Sequence, residues 1–308
     1  MIGAANVLPI GRPRQETVNR TDFTNTIRQP ILNWLNGNPT KRPQYWVLFL
    51  DIPSRINAVT NAGVYPADRD NSVSYELYST SVGIQPFVTH INMGDTNACI
   101  GYINKLENIA TNYSPGKLII SASSGGYGNT NYYFDDTRFD YASPAPSLGS
   151  NALSGVLGVN PAASVTYSNA VEGGLASHVT AGSNVAGYLS WGFHSSLGTF
   201  YATDGTVKWT GNTSWYLVET VESFNGQRAG GGGNFIMWFS SNAFGGANYS
   251  DTPIGAVTHV DEPGCVCGVQ NSAVYFGLWE AKKTFASCAW NSRQTSFFQA
   301  VGDPLITK

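Results

Sequence analysis

The sequence predicts an α/β domain built on a mostly parallel central sheet flanked by helices. Three observations carry this reading. Strand-like and helix-like stretches alternate along the chain. The clearest strand, in QYWVLFLDIP (44–53), is apolar without period-two alternation, as in a strand covered on both sides. Apolar residues make up 42% of the 308 positions, enough for a real core.

Taken in order, NVLPI (6–10) is a short strand candidate. A helix is expected from about Asp22, its N-cap, with Ile27, Ile31, Trp34 and Leu35 on one face. Pro30 should kink that helix or mark its start. Residues 57–94 read as a loop-rich excursion with weak strand signals. Asp95 and Thr96 can cap a helix through Asn112, with Ile100, Ile103, Leu106 and Ala110 inward. Ser114-Pro115-Gly116 stops it, and KLIISAS (117–123) follows as a strand.

YYFDD (132–136) reads as a strand end, and a second loop-rich excursion is expected near 137–160. VAGYLSW (185–191) is a buried strand. WYLVETVES (215–223) is aromatic and β-branched and reads as another. RAGGGGN (228–234) is a loop, and FIMWFSS (235–241) fits strand or helix equally. IGAVTHV (254–260) is a strand, and residues from about Ser272 to Asn291 are helical in two pieces. With no internal repeat and no low-complexity linker, residues 1–308 read as a single domain.

Composition narrows the functional classes. Charged residues are only 12% of the chain, about half the usual share. Gly, Tyr, Asn, Ser and Thr fill the gap, a surface common in secreted and cell-surface proteins, which sets the expected location. Net charge is -3, with no basic run, so a nucleic-acid partner is not expected. No stretch approaches the length of apolar residues a membrane helix needs. The opening MIGAANVLPIG lacks the basic start and long apolar segment of a leader. Low charge also removes repulsion between copies, so a homo-oligomer or surface assembly is compatible with this composition. No Gly-rich phosphate motif is present, and no cofactor is expected.

The chemistry-bearing stretch is GAVTHVDEPGCVCG (255–268). The chain has four histidines and four cysteines, and His259, Cys265 and Cys267 fall here. In open α/β sheets, sites gather at the carboxyl ends of strands. Four such ends carry polar residues: Asp51 and Arg55; Ser190, Trp191 and His194; Glu219 and Ser223; His259, Asp261, Glu262 and Cys265.

A thiol hydrolase would pair Cys265 with His194 or His259, since imidazole removes the thiol proton and the thiolate attacks a carbonyl. A zinc site would take His259, Cys265 and Cys267 with His194 or Asp261, but C-x-C after H-x5-C is not a trusted ligand spacing, and no metal is assigned. A glycan-cleaving site would pair carboxylates among Glu219, Glu222, Asp261 and Glu262. Against all three stands the plain reading, in which the histidines and Cys265 are structural. Cys288 could bridge Cys265 or Cys267, and free buried thiols fit equally. Sequons at Asn19, Asn112, Asn212 and Asn248 are ordinary in a chain rich in Asn, Ser and Thr.

Three stretches carry a resemblance: AGYLSWG (186–192), THVDEP (258–263) and QAVGDPL (299–305). Together they resemble an uncharacterised bacterial family with G-Y-x-S-W-G, H-V-x-E-P and V-G-D-P-L motifs. DNSVSYEL (70–77) and GAANVLPI are similar to its pattern too. Members of that family carry a further strand and helix ahead of the position of Ile2, so the resemblance implies that this sequence begins inside the family's domain.

The layout is more distantly similar to caspase-like and gingipain-like cysteine peptidases. These have a parallel-sheet core with His-Gly after one strand and Cys after the next. By position, Trp191-Gly192 stands where that resemblance implies His-Gly. Ser223-Phe224-Asn225-Gly226 stands where it implies the cysteine. The resemblance therefore implies a caspase-like arrangement without its dyad, and a protein that binds a peptide or glycan, or assembles, rather than one that cuts. A divergent cysteine peptidase and a glycan-binding or glycan-cleaving protein are the alternatives. The strand end His259–Glu262 is expected to border the main cleft, with Ser190, Trp191, Glu219, Ser223, Asp261 and Glu262 lining it.

Overall fold

A computed structural model describes residues 3–11, 14–57, 71–80, 85–109, 117–123, 165–170, 181–190, 193–194, 199–200, 207–220, 222–229, 234–263 and 270–308. The predicted excursion at 137–160, the strand end at 132–136 and the Gly-rich part of 228–234 lie outside them.

The chain is α/β. Eight strands form one sheet: β1 (Tyr45–Phe49), β2 (Phe87–Ile91), β3 (Lys117–Ser123), β4 (Val165–Ala170), β5 (Val185–Ser190), β6 (Leu217–Thr220), β7 (Gly255–His259) and β8 (Phe298–Gly302). Their spatial order is β1-β2-β8-β7-β6-β5-β3-β4. Neighbours run parallel except β7 and β8, which pair antiparallel from Gly255↔Gly302 to His259↔Phe298. The strands β3 to β7 therefore share one direction, and β1, β2 and β8 the other.

Alternation along the strands divides the core between two faces. Leu217, Val257, Phe298 and Ala300 turn to one face. There they meet α1 (Gln29–Gly37), α2 (Val73–Thr80), α5 (Ser272–Glu280) and α6 (Phe285–Ser292). Val218, Ala256 and Val301 turn to the other, with Tyr188. That face is covered by α3 (Thr96–Ile109) and α4 (Phe235–Trp238). A sheet clothed on both sides explains why the interior strands are apolar at successive positions. The sheet and α6 approach closely at Gly255: a Cβ there would sit 2.6 Å from Phe285 Cδ2. We expect Gly255→Ala to cost about 1–3 kcal/mol through overpacking, read as a lower urea midpoint.

Several elements differ from the sequence reading. Residues 6–10 are not a strand: Ala4–Asn6 is a 3-10 turn, and Leu8 and Ile10 rest against the core as single side chains. The first helix starts earlier than Asp22, because Asn19 is the cap and its side chain accepts from the Asp22 backbone N–H at 2.8 Å. A π-helical stretch, Phe23–Arg28, runs without a break into α1, and Pro30 follows it inside that continuous helix, where the wider π turn accommodates the missing N–H. Ile27, Ile31 and Leu35 are buried as expected, with Trp34 packed beside them.

The strand β1 lies at the sheet edge, with Phe49 49% exposed, rather than between two covering layers along its whole length. Within 57–94, Asn71–Ser72 pairs with Arg55–Ile56, α2 follows, and β2 is an interior strand. Thr89 and His90 disguised β2 in the sequence; both are buried, and His90 Nε2 lies 2.7 Å from Ser74 Oγ. In α3 the inward face is Ala98, Cys99, Tyr102 and Lys105, while Ile100 is exposed. Polar anchors rotate this helix: Tyr102 Oη donates to the Ile254 carbonyl at 2.7 Å, and Lys105 Nζ donates to Thr252 Oγ1 at 2.9 Å. FIMW resolves as helix, capped by Asn234, and the closing segment supplies β8 at the centre of the sheet.

Candidate functional site

Counted along the chain, β3 to β7 stand in the order 2-1-3-4-5, so the topology switches between β3 and β5. The crevice for a ligand in such a sheet lies outside the carboxyl ends at that point. Ser190, the last residue of β5, pairs with Ser121 on one side and Thr220 on the other. Register thus sets the ends of β5 and β6 side by side. Trp191 lies outside the described residues. His194 belongs to a short ribbon, Phe193–His194 with Thr199–Phe200, whose side chains also lie outside them.

The ends of β6 and β7 are tied together by side chains. Asn225 Nδ2 donates to Thr220 Oγ1 at 2.9 Å, and Asn225 Oδ1 accepts the His259 backbone N–H at 2.7 Å. The Gly226 N–H donates to the His259 carbonyl at 2.8 Å, and Gln227 Nε2 donates to that of Val260 at 2.7 Å. Ser223 is half-buried within the same loop. This lattice fixes the loop where the resemblance set the peptidase cysteine.

Glu219 and His259 face the same side of the sheet, since Glu219 pairs with Val257, two residues before His259. Both are buried, as are Ser272 and Gln270. Ser272, the first residue of α5, donates Oγ to Glu219 Oε1 at 2.5 Å. Asn271 caps that helix, its side chain accepting from Val274 N at 3.2 Å. His259 Nδ1 lies 3.2 Å from the Glu222 carbonyl oxygen, which can only accept. The proton therefore resides on Nδ1, and Nε2 carries the lone pair. Among the described residues Nε2 has no hydrogen-bond partner. Burial pushes the imidazole pKa down to about 4, only partly offset by the bond to Glu222, so the ring is neutral at physiological pH.

Asp261 is half-buried and Glu262 exposed, so Glu262 stands at the rim rather than inside the cluster. Cys265 and Cys267 lie outside the described residues, and neither the thiol pairing nor the zinc set is drawn in the structure. Cys99 and Cys288 are free and buried. Burial raises both thiols, Cys288 to about 12, which keeps them protonated and poor nucleophiles. Among the described residues no group of three or more His, Cys, Asp or Glu side chains converges as a metal site. Among the described residues no helix is long and apolar enough to cross a membrane.

Sequence reading missed Thr220, Asn225, Gln270 and Ser272. The spacing gave no sign of them, because Ser272 and Glu219 are 53 residues apart. The only local signal was Asn271-Ser272 ahead of an apolar run, a helix start. Searched against protein-family models, curated proteins and solved structures, the chain matches none.

Proposed function

We propose that this chain is an extracellular or cell-surface protein with a caspase-like or gingipain-like arrangement that binds a peptide without cutting it. The observation that carries the reading is the Ser190↔Thr220 pairing. It makes β5 and β6 consecutive parallel neighbours, as a His-Gly strand end beside a Cys strand end requires. Those ends continue into Trp191-Gly192 and Ser223-Phe224-Asn225-Gly226, which offer neither imidazole nor thiol. The polar lattice from Asn225 to Val260 then acts as scaffolding along the strand ends. The low charge density leaves copies free to approach each other.

A second reading rests on His259. Its fixed tautomer and unpartnered Nε2 suit a base, and Cys265 follows six residues on. In that reading the imidazole takes the Cys265 proton, the thiolate attacks a peptide carbonyl, and the protonated ring returns the proton to the leaving amine.

One experiment separates the two. A diverse peptide library is incubated with the protein, and mass spectrometry reads cleaved and retained peptides before and after thiol alkylation. We expect retention of a subset of peptides and no cleavage over a broad pH range. Cleavage abolished by alkylation and by Cys265→Ala would overturn the binding reading in favour of the thiol hydrolase.

A further inference from the structure

Beyond the strand-end lattice, on the far side of its loop, a cavity of about 400 Å3 opens where Met93–Asp95, just after β2, meets Arg228 and the segment from Ile236 to Ser241. Its size is at the lower end of small-ligand sites. Arg14, Ala98 and Tyr249 complete the wall. Two glycines let the wall pack closely. Tyr249 lies flat against α3 at Gly101, where a Cβ would come within 2.2 Å of its ring. Gly94 adopts φ +102, and a Cβ there would crowd Ile236 at 3.1 Å.

The polar groups of the cavity are incompletely matched. The Arg228 side chain is only 9% exposed. Its Nε donates to Glu16 Oε2 at 2.9 Å, and Nη2 donates to the Gln15 carbonyl. Its Nη1 has no partner among the described residues and is closed to solvent, so a ligand reaches it only when the side chain turns toward the cavity. A guanidinium nitrogen left in that state is costly, and a carboxylate is the group whose geometry answers it best. Arg14 sits beside it, donating to the Gly94 carbonyl and 3.4 Å from Asp51. The N-terminus of α3, a 14-residue helix, adds its positive end at Asp95 and Ala98.

The site is not simply anion-seeking, however, because Asp95 also lines it and Glu16 and Asp51 already face the two arginines. Asp95 Oδ1 caps α3 through Ala98 N at 2.9 Å, while the residue itself is exposed. Cationic forks and a carboxylate at one mouth, with Met93, Ala98, Ile236 and Tyr249 as apolar walls, describe a zwitterion with an apolar side chain.

We propose that this cavity binds a free apolar α-amino acid. Its carboxylate lies on Arg228 and Arg14, its ammonium on Asp95, and its side chain against Met93 and Ile236. This site is independent of the peptide-binding reading above. Isothermal titration with L-leucine tests it, alongside N-acetyl-L-leucine, which lacks the ammonium, and L-leucinamide, which lacks the carboxylate. The N-acetyl form also stands in for a peptide C-terminus.

We expect leucine to bind and each blocked form to bind at least about tenfold more weakly, as the loss of one charge-assisted contact implies. Arg14→Gln and Asp95→Asn should each weaken leucine to a similar degree without lowering the melting temperature. Both residues are exposed at the surface, and Asn at position 95 still caps the helix. The proposal is overturned if no amino acid of the standard twenty gives heat or a melting shift at ~10 mM. It is equally overturned if N-acetyl-L-leucine and L-leucinamide match leucine, or if both variants bind as the parent does.

Discussion

Lowering the pH from neutral to about 4 should remove several kcal/mol of stability, and two histidines should account for the upper part of that loss. His259 and His90 are both buried, and burial lowers their pKa from 6.5 to about 4 and about 3 respectively, with the Arg228 cation adding to the effect at His90. The folded chain keeps both rings neutral while the unfolded chain protonates them below about 6.5. Unfolding therefore takes up protons in this window, and stability falls as pH falls. Each ring contributes about 1.4 kcal/mol per pH unit, fully retained above pH 6.5 and lost progressively down to its folded value. Against a usual domain stability of about 5–15 kcal/mol, this is a large share.

The decisive interval is accordingly pH 6.5 to 5, where ordinary carboxylates remain charged. Urea unfolding at closely spaced pH values should show uptake approaching two protons there, and His259→Gln should reduce it by about one. A stability flat over that interval would sink the assignment of neutral buried rings.

Trp279→Ala should be the most damaging single core substitution on the helical face that supports β5. Trp279 is fully buried in α5, and its Nε1 donates to the Ala186 carbonyl at 3.0 Å. Truncation leaves a large void and removes the hydrogen bond to β5, the strand that ends at Ser190. The expected cost is about 3–5 kcal/mol, from lost burial plus cavity. For a chain of this size that is a fall in melting temperature of roughly 5–8 °C. Trp279→Phe should recover part of the loss by refilling the space, though not the bond. A melting temperature within a degree or two of the parent for the alanine variant would show that α5 does not hold β5 in place.

Much of the scaffold is legible in the sequence. The strands at 117–123, 185–190, 217–220 and 255–259 fall where apolar, β-branched runs end in polar residues. The two helices after Ser272 also fall as read. What escaped was disguised locally. In FVTHI the interior histidine is matched by Ser74 from another element, while the buried Thr89 hydroxyl has no partner among the described residues. In FQAVG, Gln299 is buried because its amide donates to the Gly226 carbonyl at 3.2 Å, a partner 73 residues away. Ile100 looked like core, but Tyr102 and Lys105 found buried acceptors and turned the helix the other way.

The candidate site divides along the same line. By itself the sequence determined the α/β class, the strand ends that carry Ser190, Glu219 and His259, and the lack of His and Cys at Trp191 and Ser223. Those features depend on residue type and short-range periodicity, which the chain states directly. Only the tertiary structure decided the strand order, and with it the neighbours: Thr220 beside Ser190, Ser272 on Glu219, Glu222 on His259, and Arg14 with Arg228 around one cavity. These contacts join segments tens to hundreds of residues apart. Burial and pairing, not local propensity, set the protonation and partners of each group, so they are fixed only when the sheet assembles.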